Sequence, residues 1–274
     1  VERIADAGVT RVVAAVEDPN PLVRGRGFAY LRSRGIEVQV GVAEEAAIRI
    51  NQPFFTLMSE GRPFVILKAA LSLDGYLAAS PGQPTALTSE PANRHSHRLR
   101  AQVDAIAVGV GTVLADDPQL TARGAYRERP LVRVIFDRHL RTPPKARLLS
   151  TRTAGPVMIV TAADGAAATD RRSALSAAGA EIVIADGTVR SGLQVLGARG
   201  ISALLLEGGA ALQEAAWTEG VVDYIRLYVT PHVIGPGGVQ FLGGRPLSAL
   251  TGEGARIEPL GPDVLMEGYV HRAG

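Results

Sequence analysis

Residues 104–123, DAIAVGVGTVLADDPQLTAR, decide the fold of this chain. Ala105-Ile106-Ala107-Val108 is an unbroken apolar run between an acid and a glycine, which is typical of a strand buried on both faces. Gly109-Val110-Gly111-Thr112 follows at once, and Asp116-Asp117-Pro118 ends the short helix that comes next. Because open α/β sheets bind ligands at the carboxyl ends of their strands, this stretch predicts a site here. A glycine turn without a ligand is the alternative, and this stretch alone does not decide between them.

The remainder of the chain alternates strands and helices, which predicts a mixed, mostly parallel sheet with helices on both faces. The break Ser59-Glu60-Gly61-Arg62-Pro63 predicts a domain boundary. The last two strands are expected to be antiparallel. Strands are predicted at 11–16, 36–40, 64–70, 105–108, 131–137, 157–161, 181–185, 203–207, 224–230 and 264–270, and helices at 27–34, 43–51, 88–101, 167–178, 189–198 and after residue 209.

Composition bounds the function. The chain has 274 residues, 46% of them hydrophobic, and a formal charge of +2, so a large core is possible and nucleic-acid binding gains little support. The absence of cysteine excludes disulfides, thiolate metal sites and a cysteine nucleophile. No apolar run approaches the roughly 18 residues of a membrane span, so we expect no membrane association and a cytoplasmic location. The chain begins at Val1 inside a predicted helix end, and we expect it to be a piece of a longer protein.

Three features suggest chemistry. Lys68 ends an apolar strand, and an ammonium there needs a partner. Glu207-Gly208-Gly209 joins a strand to a helix start, an arrangement that suits a phosphate, although glycines also allow close packing. The helix at 88–101 is strongly basic; most of its charges should face solvent, and Arg100 lies closest to the next strand. Two histidines of that helix, His95 and His97, have the wrong spacing for a helical metal site.

Five segments, in order, resemble the reductase domain of the bifunctional riboflavin-biosynthesis deaminase/reductase family: Lys68 to Gly75 (KAALSLDG), Gly111 to Arg123 (GTVLADDPQLTAR), Asp137, Glu207 to Gly209, and Pro231 to Gly235. The resemblance covers residues 62–272. It implies a dihydrofolate-reductase-like, three-layer α/β/α domain at 62–274 that acts as a homodimer. The implied reaction is the NADPH-dependent reduction of 5-amino-6-(5-phosphoribosylamino)uracil to 5-amino-6-(5-phosphoribitylamino)uracil.

The resemblance also implies the roles of individual residues. Catalytic roles fall to Lys68 and Asp74, with a structural ion pair between the two as the alternative. Substrate binding falls to Arg100, Leu120, Arg123 and Glu207, the arginines being suited to a phosphate. NADPH binding falls to Ala70, Thr112, Asp116, Arg138, Gly209, Ala210, Ala211, Leu212 and Gln213.

Residues 1–58 depart from the family pattern. Asp18-Pro19-Asn20-Pro21 and Gly25-Arg26-Gly27 resemble the end of the deaminase domain, a cytidine-deaminase-like α/β fold. The His-x-Glu and Pro-Cys-x-x-Cys motifs of a zinc deaminase are absent, so we expect neither zinc nor deamination. In the reductase part, Pro84 and Ala86 replace a serine and a tryptophan that are common in the family, and Arg138 replaces the serine of some relatives.

Three other functions stay open at this point. An ordinary dehydrogenase is disfavoured, because no G-x-G-x-x-G with a following acid is present. A non-catalytic nucleotide-binding relic is suggested by Pro84 and Ala86. A dihydrofolate-reductase-like enzyme acting on another pterin or pyrimidine would share the same fold.

Overall fold

The computed structural model describes residues 1–83, 85–245 and 255–270. The chain divides into two compact units, Val1–Arg62 and Pro63–Gly274. The sequence placed the boundary within the Ser59–Pro63 break. Each unit is described by itself.

The first unit is a small α/β layer. Its two strands, β1 (Arg11–Ala14) and β2 (Glu37–Val40), pair in parallel. Leu22 is 74% exposed and borders a cavity of about 480 Å³ that is also lined by Val1 and Phe28. Apolar surface is therefore left uncovered within this unit. Its helices are α1 (Glu2–Asp6), α2 (Arg26–Ser33), α3 (Glu44–Ile50) and α4 (Gln52–Glu60).

The second unit contains all the remaining described elements. Its strands are β3 (Phe64–Leu71), β4 (Tyr76–Ala78), β5 (Ala105–Gly109), β6 (Val132–Phe136), β7 (Val157–Ala162), β8 (Ala180–Ala185), β9 (Ala203–Gly208), β10 (Tyr224–Val229), β11 (Val239–Gln240), β12 (Arg256–Leu260) and β13 (Asp263–Tyr269). Its helices are α5 (Glu90–Gln102), α6 (Val110–Asp116), α7 (Arg147–Ser150), α8 (Ala163–Ala166), α9 (Thr169–Ala177), α10 (Val189–Gly197) and α11 (Ala210–Thr218). Short 3-10 turns span Arg152–Ala154 and Phe241–Gly244.

A nine-stranded sheet organises this unit, in the order β12-β13-β10-β3-β9-β5-β6-β7-β8. Every neighbouring pair is parallel except the two that β13 makes, with β10 and with β12. Helices α5, α6 and α9 bury apolar side chains in one core, and α10 and α11 bury theirs in another. The predictions of a mixed, mostly parallel sheet and of an antiparallel final pair are confirmed.

Strand β5 lies inside this sheet with all five of its residues buried. Strand β9 comes late in the chain but inserts between β3 and β5. The carboxyl ends of β3, β9 and β5 are therefore adjacent, which is the position where parallel sheets bind ligands.

Candidate active site

A β-bulge at the end of β9 aims the side chain of Glu207. Ala107 of β5 pairs with Leu206, but the next residue, Val108, pairs with Gly208, so Glu207 is the extra residue. Such bulges turn a side chain out of the regular alternation and are common beside active sites. The glycine at position 208 matters here, because a Cβ atom added to it would lie 3.0 Å from the Thr112 hydroxyl oxygen.

The bulged carboxylate is held by a helix on the adjacent layer. Arg100 Nε donates to Glu207 Oε1 at 2.8 Å, and Arg100 Nη2 donates to Oε2 at 2.6 Å. The side chains are 17% and 6% exposed, respectively. A planar guanidinium matches a carboxylate through two parallel bonds, so the pair fixes both orientation and charge.

Lys68 brings a second cation to the same carboxylate. Strand β3 pairs with β9, and the last pair is Leu67 with Leu206. Lys68 and Glu207 are the next residues on the two neighbouring strands. Burial lowers the pKa of Lys68, while the charge of Glu207 raises it and that of Arg100 lowers it. Burial raises the pKa of Glu207, but Arg100 and then Lys68 lower it, and the net pKa lies below its ordinary value. One buried anion thus attracts two cations, and at Lys68 burial outweighs this attraction, so its pKa lies below the ordinary value.

The loop after α6 carries two substrate candidates in a constrained backbone. Leu120 is buried and has φ of 54°, and Asp117 has φ of 39°, both in the region that side chains disfavour. Such conformations persist where the surroundings fix them, and they cluster at ligand sites. Arg100 Nη1 donates to the Thr121 carbonyl at 3.0 Å, which ties this loop to the Glu207 pair. The exposed Arg123 lies two residues beyond that anchor.

Glycines bring the start of α11 close to β5. A Cβ atom on Gly209, which has φ of 89°, would lie 3.3 Å from the Gly109 Cα, and one on Gly109 would lie 3.4 Å from Leu212. The close-packing role of these glycines is therefore real. Gly209, the N-cap of α11, has no side chain that could accept from the first backbone N–H groups of this helix. The two roles, packing and anion binding, are compatible at this position.

A second cavity, of about 110 Å³, lies at the ends of β6, β7 and β8. Leu212 of α11 contributes to its lining, together with Asp137, Arg138 and Gly187. Asp137 is 1% exposed; its Oδ2 accepts bonds from the Thr142 N–H and hydroxyl at 2.7 Å each, but its Oδ1 has no partner among the described residues. An unpartnered buried acceptor beside a cavity suits a ligand that donates hydrogen bonds.

Asp74 binds the backbone of residues 234 and 235 and does not contact Lys68 among the described residues. Its carboxylate accepts bonds from the Ile234 and Gly235 N–H groups at 3.1 and 2.7 Å. The Ser72 hydroxyl and these two backbone groups lower the pKa of Asp74 to about 2. No ion pair joins Asp74 to Lys68 in the described part of the chain, so the structural pairing considered from sequence is not formed.

The other predicted residues divide into two groups. Three of them lie close to the cluster. Thr112 is beside the bulge, and Ala70 lies on β3, where it pairs with Tyr228. The Gln213 side chain donates to the Lys68 carbonyl at 3.0 Å. Two others are exposed: Asp116 is the last residue of α6, and Arg138 follows the end of β6. Arg138 Nε is 3.5 Å from the Asp164 carboxylate. Ala86 is exposed, and Pro84 lies outside the described residues.

Sequence reasoning missed the aromatic and histidine contacts beneath Lys68. Tyr228 and His95 join through a hydrogen bond of 2.9 Å, although 133 residues separate them. The signal available was the alternation of β10, which places Tyr224, Arg226 and Tyr228 on one face. His97 was disfavoured as a metal ligand; its Nδ1 lies 3.2 Å from the Thr121 carbonyl oxygen.

The bulged carboxylate, its two cations and the adjacent glycine-lined strand ends form a candidate site at the carboxyl edge of a mostly parallel α/β sheet. A family model described as the RibD C-terminal domain matches residues 63–266. The chain therefore belongs to the RibD family of riboflavin biosynthesis proteins.

Individual relatives agree with this membership. The riboflavin biosynthesis protein RibD of Aquifex aeolicus is 36% identical over 97% of this chain and 74% of its own length. The solved structure of Acinetobacter baumannii RibD superposes with a TM-score of 0.80 and 31% identity, over 98% of this chain and 75% of that one. A Thermotoga maritima protein, titled diaminohydroxyphosphoribosylaminopyrimidine deaminase/5-amino-6-(5-phosphoribosylamino)uracil reductase, gives a TM-score of 0.77 and 30% identity over 97% of this chain and 73% of that one.

Proposed function

We propose that this chain catalyses the NADPH-dependent reduction of 5-amino-6-(5-phosphoribosylamino)uracil to 5-amino-6-(5-phosphoribitylamino)uracil. The observation that carries the proposal is the Lys68–Glu207–Arg100 cluster at the adjacent ends of β3 and β9. Membership of the family supports an oxidoreductase of riboflavin biosynthesis, and the cluster supplies the chemistry that such a reduction requires of the protein.

The residues present fit a dinucleotide. The uncapped start of α11 offers N–H groups and a helix dipole to a pyrophosphate, with Gly209 and Thr112 beside it. The cavity of about 110 Å³ offers the unpartnered Oδ1 of Asp137 to the hydroxyls of a ribose. Arg138, at the same cavity, offers a cation to a 2′-phosphate. When bound, NADPH supplies the hydride that the reaction consumes.

The substrate is assigned to the opposite side of the bulge. Glu207 presents acceptor oxygens that can take the N–H donors of a uracil, because each carboxylate oxygen has more than one lone pair and Arg100 uses one on each. Arg123 is exposed at the end of the constrained loop, where a guanidinium can meet the substrate phosphate. The Leu120 side chain is buried in the hydrophobic core, so its proposed role is to anchor the loop that meets the substrate.

Lys68 is assigned the role of proton donor to the imine nitrogen. Hydride addition to C1′ of the ring-opened imine must be matched by a proton on the imine nitrogen, so that the C=N bond becomes CH–NH. The mostly buried ammonium of Lys68 can supply that proton and then recover it from solvent. Asp74 is an ionised carboxylate at any neutral pH, because its pKa is about 2, and it fits the role of holding the 234–235 backbone instead.

The first unit is proposed to correspond to the end of the family's deaminase domain. Its Asp18-to-Gly27 segment supports this assignment through the family resemblance. A homodimer and a cytoplasmic location stay predictions of the sequence. In the described residues, no helix is long and apolar enough to cross a membrane.

The test is to incubate the purified chain with NADPH and the phosphoribosylaminouracil, and to identify the product by mass spectrometry. We expect NADPH oxidation that depends on the pyrimidine, with a product two mass units heavier than the substrate. Dihydrofolate and a free aminopyrimidine serve as competing substrates. Faster oxidation with either of them would replace this assignment with another reductase, and nucleotide binding without oxidation would indicate a relic.

A further inference from the structure

A buried tyrosine lies beneath the proposed proton donor. Tyr228 of β10 is 0% exposed, and its hydroxyl is 2.9 Å from Nδ1 of His95 on α5. The Lys68 Nζ lies 5.2 Å from the centroid of the Tyr228 ring. A cation within about 6 Å of an aromatic face is attracted by the ring quadrupole, most strongly where water is excluded.

The sheet register explains this arrangement. Strands β3 and β10 are parallel, with Lys68 opposite Arg226 and Ala70 opposite Tyr228. The lysine side chain therefore reaches diagonally toward the ring instead of across to Arg226, a like charge that Glu267 neutralises at 2.8 Å. The ring is held at one end by β10 and at the other by His95, so it cannot rotate away without losing a buried hydrogen bond.

We propose that Tyr228 is a positioning residue for Lys68: its ring face holds the ammonium beside Glu207 and favours the charged form, and His95 fixes the ring. The proposal rests on the proposed function of Lys68 as the proton donor.

The groups around Lys68 explain why the Tyr228 ring can influence the protonation of the ammonium. Glu207 on β9 and the Tyr228 ring favour the ammonium, whereas Arg100 on α5 opposes it. Arg226, opposite Lys68 on β10, is paired with Glu267, and His95 on α5 bonds the Tyr228 hydroxyl. Burial adds to the opposition and lowers the pKa of Lys68. Burial also lowers the pKa of His95, and the charge of Arg226 acts in the same direction, which favours the neutral ring.

The chain permits a direct measurement, because Lys68 and Lys145 are its only lysines. Protein labelled with ¹³C at the lysine ε-carbon gives two side-chain signals, and Lys145→Arg, at an exposed position, assigns them. The matched comparison is Tyr228→Phe against Tyr228→pentafluorophenylalanine. Both keep an aromatic ring of similar shape and lack the hydroxyl, but fluorination reverses the ring quadrupole.

We expect Lys68 to titrate at a lower pH in the fluorinated variant than in Tyr228→Phe, without any ligand present. The alkaline limb of kcat/KM should move in the same direction, and at pH 9 the fluorinated variant should be about threefold or more slower than Tyr228→Phe. His95→Phe removes the hydrogen bond that fixes the ring, so Lys68 should titrate at a lower pH in this variant than in wild type.

Equal lysine titrations in the Phe and pentafluorophenylalanine variants, with both folded by circular dichroism, would overturn the proposal. If the fluorinated protein does not fold, 4-fluorophenylalanine at position 228 gives a smaller change of the same sign, and an unchanged titration there has the same meaning. The NMR measurement uses no substrate. A Lys68 that responds to the ring while Lys68→Met keeps full activity would therefore support the positioning and reject the proton-donor role.

Discussion

Arg100 holds both carboxylate oxygens of Glu207, at 2.8 and 2.6 Å, across 107 residues of sequence. The pair fastens α5 to the bulge of β9, and the same guanidinium bonds the Thr121 carbonyl of the substrate loop. A single arginine thereby links the buried anion, the helix and the loop. Changes at Glu207 should therefore affect folding as well as binding.

Glu207→Gln should destabilise the protein by about 3 kcal/mol, because a mostly buried cation loses its charged partner. Urea unfolding at pH 7 measures this difference. The matched control is Glu90→Gln, which removes the carboxylate of the exposed Glu90–Arg94 pair and should cost less than about 1 kcal/mol. Equal losses in the two variants would mean that the Arg100 pair contributes no more than a surface contact.

The pH dependence of the Glu207 effect has a definite sign. The folded-state pKa of Glu207 is below its ordinary value, so its stabilisation is present above the unfolded pKa and is lost as pH falls through the folded one. The stability gap between wild type and Glu207→Gln should thus narrow as the pH is lowered below about 4. A gap that stays constant down to pH 3 would argue against the charged pair.

Arg123→Ala should raise the substrate KM about tenfold or more, since it deletes a charge-assisted contact worth roughly 1.5 to 3 kcal/mol. NADPH affinity, measured by fluorescence titration without substrate, should stay within about threefold. Arg98→Ala, at an exposed position on α5, is the control and should change neither. Loss of NADPH binding in Arg123→Ala would assign this arginine to the cofactor.

Arg138 should determine the preference for NADPH over NADH. Its guanidinium is 3.5 Å from the Asp164 carboxylate, which competes with a 2′-phosphate for the same cation. We expect Arg138→Ala to weaken NADPH binding about tenfold with little effect on NADH, and Asp164→Asn to strengthen NADPH binding. Calorimetric titration of both nucleotides measures this. A preference unchanged in Arg138→Ala would place the 2′-phosphate contact elsewhere, with Arg141 the next candidate.

Asp74→Asn should lower kcat/KM about tenfold by loosening the 234–235 backbone, because an amide offers one acceptor oxygen where the carboxylate offers two. The shape of the pH profile should not change between pH 5 and 9, since the Asp74 pKa is about 2. Disappearance of an acid or alkaline limb in this variant would show that Asp74 titrates during turnover.

The sequence predicted the parts of the fold that apolar periodicity and helix-ending residues indicate. The apolar run at 105–108 became β5, and Asp116-Asp117-Pro118 ends α6 where predicted. Helix α4 was missed because Pro53 follows Asn51 so closely, although proline is tolerated in a first turn. Strand β12 was missed because it carries Pro259 and alternating charges, which an edge strand tolerates.

The site could be predicted only as a set of separate residues. Glycines at 208 and 209 marked the strand end, but the bulge that aims Glu207 depends on its register with β5, which no local pattern reveals. The Arg100–Glu207 and Tyr228–His95 contacts join residues more than 100 positions apart. Lys68 and Asp74, six residues apart, were considered as a pair, yet the chain directs them to different partners.

The most direct test of the account compares wild type with Lys68→Met in single-turnover NADPH oxidation with the phosphoribosylaminouracil. Methionine keeps most of the length of the lysine side chain but has no ammonium group that could donate a proton. We predict a wild-type rate that depends on the pyrimidine and a fall of about 100-fold or more in the variant, with NADPH affinity unchanged. A Lys68→Met protein that reduces the pyrimidine at the wild-type rate would contradict the central claim.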